Sequence, residues 1–340
     1  MQNRAADEPL RVLLTGAGSI ARRHASNLRR LVPHAQIMMV SNRQPQDVPP
    51  DSEATLVPAV EAGLEARPHI AVVCSVSAAH ARDLSLLMPQ VEALYIEKPV
   101  VIDRSGLQSV GALVDDGWDK PTVVGCNLRY LGALRKLKAA CEAGEAGRLA
   151  RASLEVGQWL PDWRAGRDYR ESYSAKRAQG GGVIFDLVHE LDSASFLFGD
   201  IAHGQAAAGH SGSLDIDSDD SAAITLMMTS GLPVQVSLDY VSRKPVREYR
   251  VVGDKGTLRM DIVSRELVLE EGGRNRVLPT EPADWDMAGT YRAAMEDLLR
   301  GWRTGSPTGY SLSQAMHTTS WMIELEASAW RMPGRAPQSP

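Results

Sequence analysis

A glycine-rich turn between an apolar run and a helix-like segment is the feature that most constrains the fold of this chain. Gly16-Ala17-Gly18-Ser19-Ile20-Ala21 follows Val12-Leu13-Leu14 and precedes a helix-like segment ending at Leu31. Gly16 permits a tight turn, Gly18 lets the backbone approach a phosphate, and Ala21 lets the helix pack on the strand. Free N–H groups at the helix start favour an anion. The pattern predicts a dinucleotide-binding turn, the alternative being an ordinary glycine turn.

Short apolar runs alternate with helical patterns over the first third of the chain. This alternation predicts βαβ units and a doubly wound parallel sheet, an α/β Rossmann domain over residues 1–126. The predicted strands are Arg11–Thr15, Gln36–Ser41, Ile70–Ser75, Ala93–Glu97 and Thr122–Gly125. The predicted helices are Ala21–Leu31, Leu56–Ala66, Ala78–Pro89 and Gly106–Asp115.

The pattern changes after Cys126, as expected for a second domain in a chain of 340 residues. Residues 127–330 are predicted to form an α+β domain with a large, mostly antiparallel open sheet, and 331–340 a frayed tail. An irregular stretch, Trp159–Gln179, precedes one continuous helix over Val183–Phe198. Further helices are expected at Leu134–Ala143, Tyr291–Arg300 and Leu312–Ala329, and further strands at Leu149–Gln158, Ala222–Thr229, Pro233–Tyr240, Arg247–Val252 and Gly256–Asp261.

Composition excludes several classes of partner. A formal net charge of −5 gives no electrostatic basis for nucleic-acid binding. No apolar run reaches the ~20 residues that a membrane-spanning helix needs, and no signal-peptide core is visible, so a cytoplasmic protein is expected. Cys74, Cys126 and Cys141 are widely spaced and lack the spacing of a metal site.

The end of the second predicted strand bears on cofactor preference. An NAD site usually has a carboxylate about 20 residues after the glycines, whereas this strand ends in Ser41-Asn42-Arg43. A hydroxyl, an amide and a guanidinium suit a 2′-phosphate, so NADP is the predicted cofactor and NAD the alternative. In the alternative, Arg43 is a solvated surface residue.

Four motifs in order identify a family resemblance. They are Gly16–His24, Glu97-Lys98-Pro99, Gly125–Tyr130 and Gly180–Asp192. Together they resemble the glucose-fructose oxidoreductase / inositol dehydrogenase / MocA-like family over essentially the whole chain. The resemblance implies a Rossmann domain followed by an open-sheet α+β domain. It also implies an NAD(P)-dependent oxidoreductase that transfers hydride between nicotinamide and a hydroxyl or keto carbon of a sugar, cyclitol or nucleotide sugar.

Catalytic roles are carried over from this family to Lys98, Asp186 and His189. Many members place the histidine four residues after the aspartate, whereas here the spacing is three. Either spacing puts both side chains on one face of a continuous helix. Imidazole suits removal of a hydroxyl proton near neutral pH, and Lys98 could stabilise the alkoxide or carry the proton itself. The choice between His189 and Lys98 stays open.

The remaining site residues are also predicted with the help of the resemblance. Cofactor contacts are expected from Gly16, Gly18, Ser19, Ile20, Ala21, Ser41, Asn42, Arg43, Ser75, Ser77, His80, Glu97 and Lys98. Substrate contacts are expected from Asn127, Arg129, Trp159, Asp162, Trp163, Tyr169 and Tyr173, since aromatic faces stack on sugar rings and polar groups bond hydroxyls. The alternative for the 159–173 loop is a surface lid or an interface. The alternative for Asn127 and Arg129 is that they hold the domain junction. No metal site is expected.

Two other functions and one assembly are compatible with the sequence. A tightly held cofactor could support transient oxidation for elimination or glycoside cleavage, or the chain could be a non-catalytic dinucleotide sensor. The simultaneous presence of Lys98, Asp186 and His189 argues against the sensor. A homodimer or homotetramer is predicted, because an open sheet is expected to leave a broad apolar face to cover.

Overall fold

The computed structural model describes residues 8–41, 54–163 and 166–331. Two compact units divide the chain, the first comprising the described residues up to Gly125 together with Tyr291–Met316. The second comprises Cys126–Thr290 and the described residues from His317. The chain therefore returns to the first unit late in the sequence, which the predicted ranges 1–126 and 127–330 did not include.

The first unit is built on a parallel sheet of six strands. These are β1 (Arg11–Leu14), β2 (Gln36–Val40), β3 (Thr55–Val57), β4 (Ile70–Val73), β5 (Ala93–Ile96) and β6 (Thr122–Val124). Their order is β3-β2-β1-β4-β5-β6, so the direction of winding reverses between β1 and β4. Every residue of β4 and β5 is buried, as expected when both faces of a parallel sheet are covered. The predicted Rossmann-type sheet is confirmed.

Helices connect these strands close to the predicted positions. They are α1 (Ser19–Leu31), α2 (Val60–Leu64), α3 (His80–Leu87) and α4 (Arg104–Asp115). The predicted helix Leu56–Ala66 was wrong at its start, where β3 pairs with β2. Pro58 explains the difference, because a proline disfavours helical backbone in the residue before it and leaves Val57 extended.

The second unit is built on a mixed sheet of nine strands. They are β7 (Leu149–Gly157), β8 (Ile201–Gly209), β9 (Ser221–Met228), β10 (Pro233–Asp239), β11 (Val246–Gly253), β12 (Thr257–Asp261), β13 (Glu266–Glu271), β14 (Arg274–Val277) and β15 (Trp330–Arg331). The order is β14-β13-β12-β11-β7-β10-β9-β8-β15. Among the described strands of this sheet, only β7–β10 and β8–β15 pair in parallel, so the predicted mostly antiparallel sheet is confirmed.

The remaining helices are α5 (Gly132–Glu142), α6 (Val183–Asp186), α7 (His189–Phe198), α8 (Met287–Thr304) and α9 (Leu312–Ser328). The predicted single helix Val183–Phe198 was wrong, because Leu187 (φ −94°, ψ 31°) leaves the helical conformation. Asp186 and Glu190, on either side of this break, are both bound by buried tyrosine hydroxyls. Such tertiary contacts outweigh helix propensity. Along the described part of the chain, no helix combines the length and apolarity needed to cross a bilayer.

One face of the nine-stranded sheet is exposed, and it is polar rather than broadly apolar. Along β9 and β10 the exposed alternate positions are Ala223, Thr225, Met227, Gln235 and Ser237. Neighbouring strands carry cross-strand ion pairs such as Arg259 with Glu270 at 3.2 Å. The expected broad apolar face was therefore wrong, since small or hydrogen-bonding side chains occupy these outward positions except at Met227.

Candidate active site

The glycine-rich turn lies where the strand order of the first sheet reverses, between β1 and β4. A Cβ on Gly16 would lie 2.9 Å from the Cys74 carbonyl oxygen, so packing requires glycine there. A Cβ on Gly18 would meet no atom within 4 Å. In open α/β sheets, ligands bind beyond the carboxyl ends of the strands at such a reversal. The turn thus leaves space beside Gly18 where a ligand is expected.

The start of α1 is suited to an anion. Gly18 is the cap residue, and the first turn of the helix holds no acidic side chain. Ala21 is fully buried, consistent with close packing at the third small position of the motif. Arg22 Nη1 donates a hydrogen bond to the Ala17 carbonyl oxygen at 3.0 Å, which fixes the turn. The unfilled N–H groups and the helix dipole can therefore receive a phosphate.

The adenosine side of the predicted site is described only at Ser41. This half-buried residue donates its backbone N–H to the Val57 carbonyl oxygen at 2.9 Å, just beyond β2. Asn42 and Arg43, on which the NADP preference depends, lie outside the described residues. Their roles stay predictions.

The loop after β4 is tied to the loop after β5 by His80. The Nδ1 atom lies 2.8 Å from the Pro99 carbonyl oxygen, and Nε2 lies 3.2 Å from that of Ser75. Burial lowers the pKa of His80, which favours the neutral ring. Ser75 Oγ donates to Asp83 at 2.7 Å, and Ser77 is buried. These predicted cofactor residues hold the two loops together.

A buried carboxylate supports Lys98. Glu97 Oε1 lies 2.7 Å from His24 Nε2, and Glu97 Oε2 lies 3.4 Å from the Lys98 backbone nitrogen. A Cβ on Gly125 would lie 2.9 Å from Glu97 Oε2, so the glycine makes room for the carboxylate. The Lys98–Pro99 peptide is cis. Glu97 thus links α1 to the tip of β5, where the half-buried Lys98 lies.

In the second unit, the carboxyl ends of β7 and β10 lie side by side because the two strands are parallel. Backbone bonds continue past the strands, from Gln158 N to Asp239 O (3.3 Å) and from Leu160 N to Tyr240 O (2.9 Å). This edge of the sheet therefore brings together two segments that are about 80 residues apart in the sequence. We call it the β7/β10 edge.

Asp186 is the centre of a buried hydroxyl cluster at the β7/β10 edge. One carboxylate oxygen accepts from the Tyr173 hydroxyl, and the other accepts from Ser174 Oγ at 2.6 Å and from the Tyr240 hydroxyl at 3.1 Å. Burial, and next the Asp186 charge, raise the pKa of Tyr240, which keeps this hydroxyl a donor. The half-buried Tyr173 is the member of this cluster that the fold leaves most accessible.

His189 is the first residue of α7 and is half-buried. Asp186 ends α6, so the two predicted catalytic residues lie on separate short helices rather than on one face of one helix. The argument from helical spacing was therefore wrong, although both residues belong to the same segment between Gly182 and Phe198. The next residue, Glu190, is fully buried and accepts from Arg247 Nε at 2.7 Å and from the Tyr249 hydroxyl at 3.0 Å.

The aromatic residues of the 159–173 loop have different environments. The Arg243 guanidinium carbon lies 3.4 Å from the centroid of the Trp159 ring. Trp163 packs edge-on against Tyr240, with centroids 5.3 Å apart. The Tyr169 hydroxyl accepts from the Asp215 backbone N–H at 3.1 Å. Asp162 is exposed. One face of Trp159 is thus covered by an arginine rather than open to a sugar.

Asn127 and Arg129 make internal contacts within the second unit. Asn127 Nδ2 donates to Thr290 Oγ1 at 2.6 Å, and both residues lie close in sequence to points where the chain passes between units. Arg129 forms a bidentate pair with the buried Asp192, at 2.8 and 2.9 Å. Both side chains are thus engaged within the second unit, and the choice between substrate contact and the domain junction stays a prediction.

Several residues of these sites were missed by the sequence reasoning. They are Ser174, Glu190, Tyr240, Arg243 and Tyr249. Tyr240 ends a predicted strand and Arg243 comes shortly after it, much as Lys98 follows the strand Ala93–Glu97, and that position was the available signal. Among the described residues, no group of three His, Cys, Asp or Glu side chains is arranged to hold a metal ion.

Comparisons with known proteins agree with this architecture. Residues 134–259 match the family model described as the GFO/IDH/MocA C-terminal domain. The matched residues lie within the second unit. No curated protein matches the chain by sequence.

Solved structures share the fold of this chain along nearly its whole length. UDP-N-acetylglucosamine 3-dehydrogenase GnnA from Acidithiobacillus ferrooxidans superposes with a TM-score of 0.76 at 18% identity, covering 95% of this chain and 98% of that one. An oxidoreductase from Agrobacterium radiobacter, in complex with NAD+, L-tartaric acid and magnesium, gives 0.76 at 19% identity, covering 95% and 96%. Levoglucosan dehydrogenase with NADH and L-sorbose gives 0.82 at 15% identity, covering 94% and 96%.

Proposed function

We propose that this protein is an NAD(P)-dependent oxidoreductase that transfers hydride between nicotinamide and a hydroxyl or keto carbon of a sugar, cyclitol or nucleotide sugar. The observation that carries the proposal is the open space beside Gly18, at the start of α1 and at the reversal point of a Rossmann-type sheet. The match of residues 134–259 to the GFO/IDH/MocA C-terminal domain supports it. The similar structures with NAD+ or NADH bound support the same class of cofactor.

The residues at the start of α1 fit a dinucleotide. Gly16 and Gly18 shape the turn, Arg22 fixes it, and the helix supplies N–H groups to a phosphate. The nicotinamide, when bound, supplies the carbon that accepts or donates hydride. The chain itself must orient the substrate and move one proton.

We propose that Lys98 and His189 share the proton chemistry. Lys98 donates a hydrogen bond to the reacting oxygen and stabilises its negative charge, and either Lys98 or His189 receives the hydroxyl proton. Asp186 acts as a positioning residue, since its two oxygens accept from Tyr173, Ser174 and Tyr240. Its substitution is expected to act through Tyr173 and Tyr240.

A matched pair of glycine variants tests the cofactor site. A Cβ on Gly18 or on Gly111 would meet no atom within 4 Å, so neither Gly18→Ala nor Gly111→Ala is expected to disturb folding. Gly18→Ala should weaken NAD(P)H binding at least about tenfold, because its methyl group occupies the space of the phosphate. Gly111→Ala, in α4, should bind normally. Titration of NADH and NADPH fluorescence measures both, and equal affinity in the two variants would contradict the proposal.

The cofactor preference has its own test. We propose NADP(H), because Ser41-Asn42-Arg43 offers a hydroxyl, an amide and a guanidinium to a 2′-phosphate. Arg43→Ala should lower kcat/KM for NADPH and leave that for NADH nearly unchanged. A wild-type preference for NADH that Arg43→Ala does not alter would overturn this preference without affecting the rest of the proposal.

The reaction is tested by screening sugars, cyclitols and nucleotide sugars in both directions by cofactor absorbance. With a substrate in hand, Lys98→Ala and His189→Ala should each lower kcat by about 10²-fold or more while dinucleotide binding persists. Activity that survives both substitutions would refute the site assignment. Bound dinucleotide with no turnover on any substrate would instead favour a sensor.

We propose that the protein assembles as a homodimer or homotetramer. The exposed face of the nine-stranded sheet carries small and polar residues, among them Ala223, Thr225 and Ser237, which can pack against a second sheet. Light scattering during size-exclusion chromatography measures the mass. A monomer at micromolar concentration would overturn the proposal.

A further inference from the structure

Arg243 differs in its contacts from other arginines of the second unit. Arg129, Arg177 and Arg247 each bond a carboxylate, those of Asp192, Asp219 and Glu190. Arg243 has a tryptophan ring as its neighbour, 3.4 Å from its guanidinium carbon, and is exposed. Within residues 8–41, 54–163 and 166–331, no carboxylate oxygen lies within 4 Å of its nitrogens.

The local structure holds Arg243 in this place. Asp239 ends β10 and accepts from the backbone N–H groups of Val241 and Ser242, at 2.8 and 2.6 Å, and from Ser242 Oγ at 2.9 Å. These bonds fix the tight turn that leads to Arg243. They also engage the carboxylate nearest to it in sequence, so Asp239 does not neutralise the guanidinium.

The partner strand accommodates the turn. A Cβ on Gly157, the last residue of β7, would lie 2.6 Å from Ser242 Oγ, so glycine is needed there for the turn to pack against β7. Trp159 follows two residues later and lies under Arg243. The parallel pairing of β7 and β10 therefore builds the Trp159–Arg243 stack from both strand ends.

Stacking determines which donors the guanidinium can offer. The ring covers one flat face of the guanidinium, whereas the N–H groups lie in its plane and remain at its edge. Two parallel N–H groups match two oxygens of a phosphate or carboxylate. A neutral hydroxyl matches this edge less well, because it accepts one such bond and carries no charge.

The stack lies at the same sheet edge as the hydroxyl cluster. Tyr240, three residues before Arg243, donates to Asp186 and packs against Trp163. Leu160, next to Trp159, is bonded to Tyr240 through its backbone N–H. A ligand held at the Trp159–Arg243 stack would therefore lie at the edge that also presents Tyr173.

We propose that Trp159 and Arg243 form an oxyanion-binding subsite, and that the substrate of this protein carries a phosphate, diphosphate or carboxylate group in addition to its reacting carbon. This inference rests on the proposed function and narrows it from carbohydrates in general to anionic ones. Trp159 positions the guanidinium, and Arg243 binds the anion. The predicted stacking of a sugar on Trp159 is replaced on this face by the arginine.

Direct binding measurements test the subsite without requiring turnover. Calorimetry on the full chain with saturating NADPH or NADH compares glucose, glucuronate, glucose 1-phosphate and UDP-glucose. These ligands separate a neutral sugar from a carboxylate, a phosphate monoester and a diphosphate. The wild type should bind at least one anionic ligand about tenfold or more tightly than glucose, as expected for charge-assisted hydrogen bonds.

Three variants then assign the effect. Arg243→Gln should remove the preference for the anion, and Arg243→Lys should retain part of it, since charge remains but the paired donors are lost. Trp159→Leu should weaken anion binding, because no aromatic ring then stacks on the Arg243 guanidinium to hold its orientation. Arg151→Gln, an exposed arginine at the other end of β7, is the control and should not alter the preference.

The outcomes are separable from those of the proposed function. A wild type that binds no anionic ligand more tightly than glucose, or an Arg243→Gln variant that keeps the preference, overturns the subsite. Turnover of a neutral sugar with a higher kcat/KM than any anionic ligand of the panel would overturn it and leave the oxidoreductase proposal intact. Failure of the Gly18→Ala test would overturn the cofactor site while the anion preference could still be measured.

Discussion

At the scale of single residues, two buried polar groups illustrate how hydrogen bonds decide local structure. Asp186 accepts three hydroxyl donors, and His80 connects two loops through backbone carbonyl oxygens. A buried polar group that loses its hydrogen-bond partner destabilises the fold by more free energy than a typical hydrogen bond contributes to stability. Both residues were predicted as site residues, and their partners give each a structural task as well.

Asp186→Asn should destabilise the protein. The asparagine has one acceptor oxygen and places an NH2 group against hydroxyls that are already donors, so the expected loss is roughly 1–3 kcal/mol of unfolding free energy. Asp200→Asn, at an exposed position of the same unit, is the control. Urea unfolding followed by circular dichroism gives both values. Equal stability of the two variants would refute the role of the cluster.

His80 should make stability depend on pH. Burial lowers its pKa in the folded state, so below the unfolded value of about 6.5 the unfolded chain binds the proton more readily. The contribution of the neutral, buried His80 to folding stability is complete above pH 6.5, about the unfolded pKa, and is lost as the pH falls below it. Urea unfolding between pH 5 and pH 7.5 should show a steeper decline for the wild type than for His80→Asn, by at most about 1.4 kcal/mol per pH unit. Identical slopes would contradict this.

At the scale of elements, the parallel strands of the first sheet were predictable, whereas the segment around Asp186 was not. Strands such as Ile70–Val73 are continuous apolar runs, and both of their faces are buried. The Val183–Phe198 segment has helical spacing throughout, yet hydroxyl bonds to Asp186 and Glu190 accompany a break between them. A hairpin at Gly272-Gly273, with φ of 57° and 76°, was also missed although two glycines with positive φ favour such a turn.

The backbone just before α6 leaves no room for a side chain at Gly181. A Cβ on Gly181 would lie 2.6 Å from the Ser174 carbonyl oxygen and 2.8 Å from that of Lys176, and backbone cannot move aside easily. Gly181→Ala should therefore cost about 1–3 kcal/mol or more and displace Ser174 from Asp186. Thermal unfolding alongside Gly111→Ala measures the effect. A melting temperature equal to that of the control would show that the loop adjusts freely.

At the scale of the whole molecule, the late return of the chain completes the first unit. Tyr291 lies 4.5 Å from the Arg23 guanidinium carbon, Trp302 Nε1 donates to Glu92 at 2.8 Å, and Thr308 Oγ1 donates to the Thr122 carbonyl oxygen at 2.5 Å. These contacts join residues roughly 200 or more positions apart in the chain. Local sequence patterns do not specify contacts between residues so far apart.

A fragment of residues 1–126 should be less stable than the same unit in the full chain. Removing Tyr291–Met316 exposes the surfaces that α8 covers around Arg23 and Glu92. We expect faster proteolysis and a lower melting temperature for the fragment, with full-length protein as the control. If the fragment melts as cooperatively as the first transition of the full-length protein, and at the same temperature, the segment Tyr291–Met316 is dispensable for the stability of this unit.

The sequence alone determined the Rossmann-type sheet, the glycine turn and the tip of β5, because local motifs and apolar periodicity encode them. Only the tertiary structure decided which groups meet. Glu97 pairs with His24, Tyr240 bonds Asp186, and Arg243 stacks on Trp159. Each of these contacts joins residues far apart in the chain through strand order and register, which no local pattern specifies. The side chains that we propose to select the substrate, Trp159 and Arg243, belong to this second group.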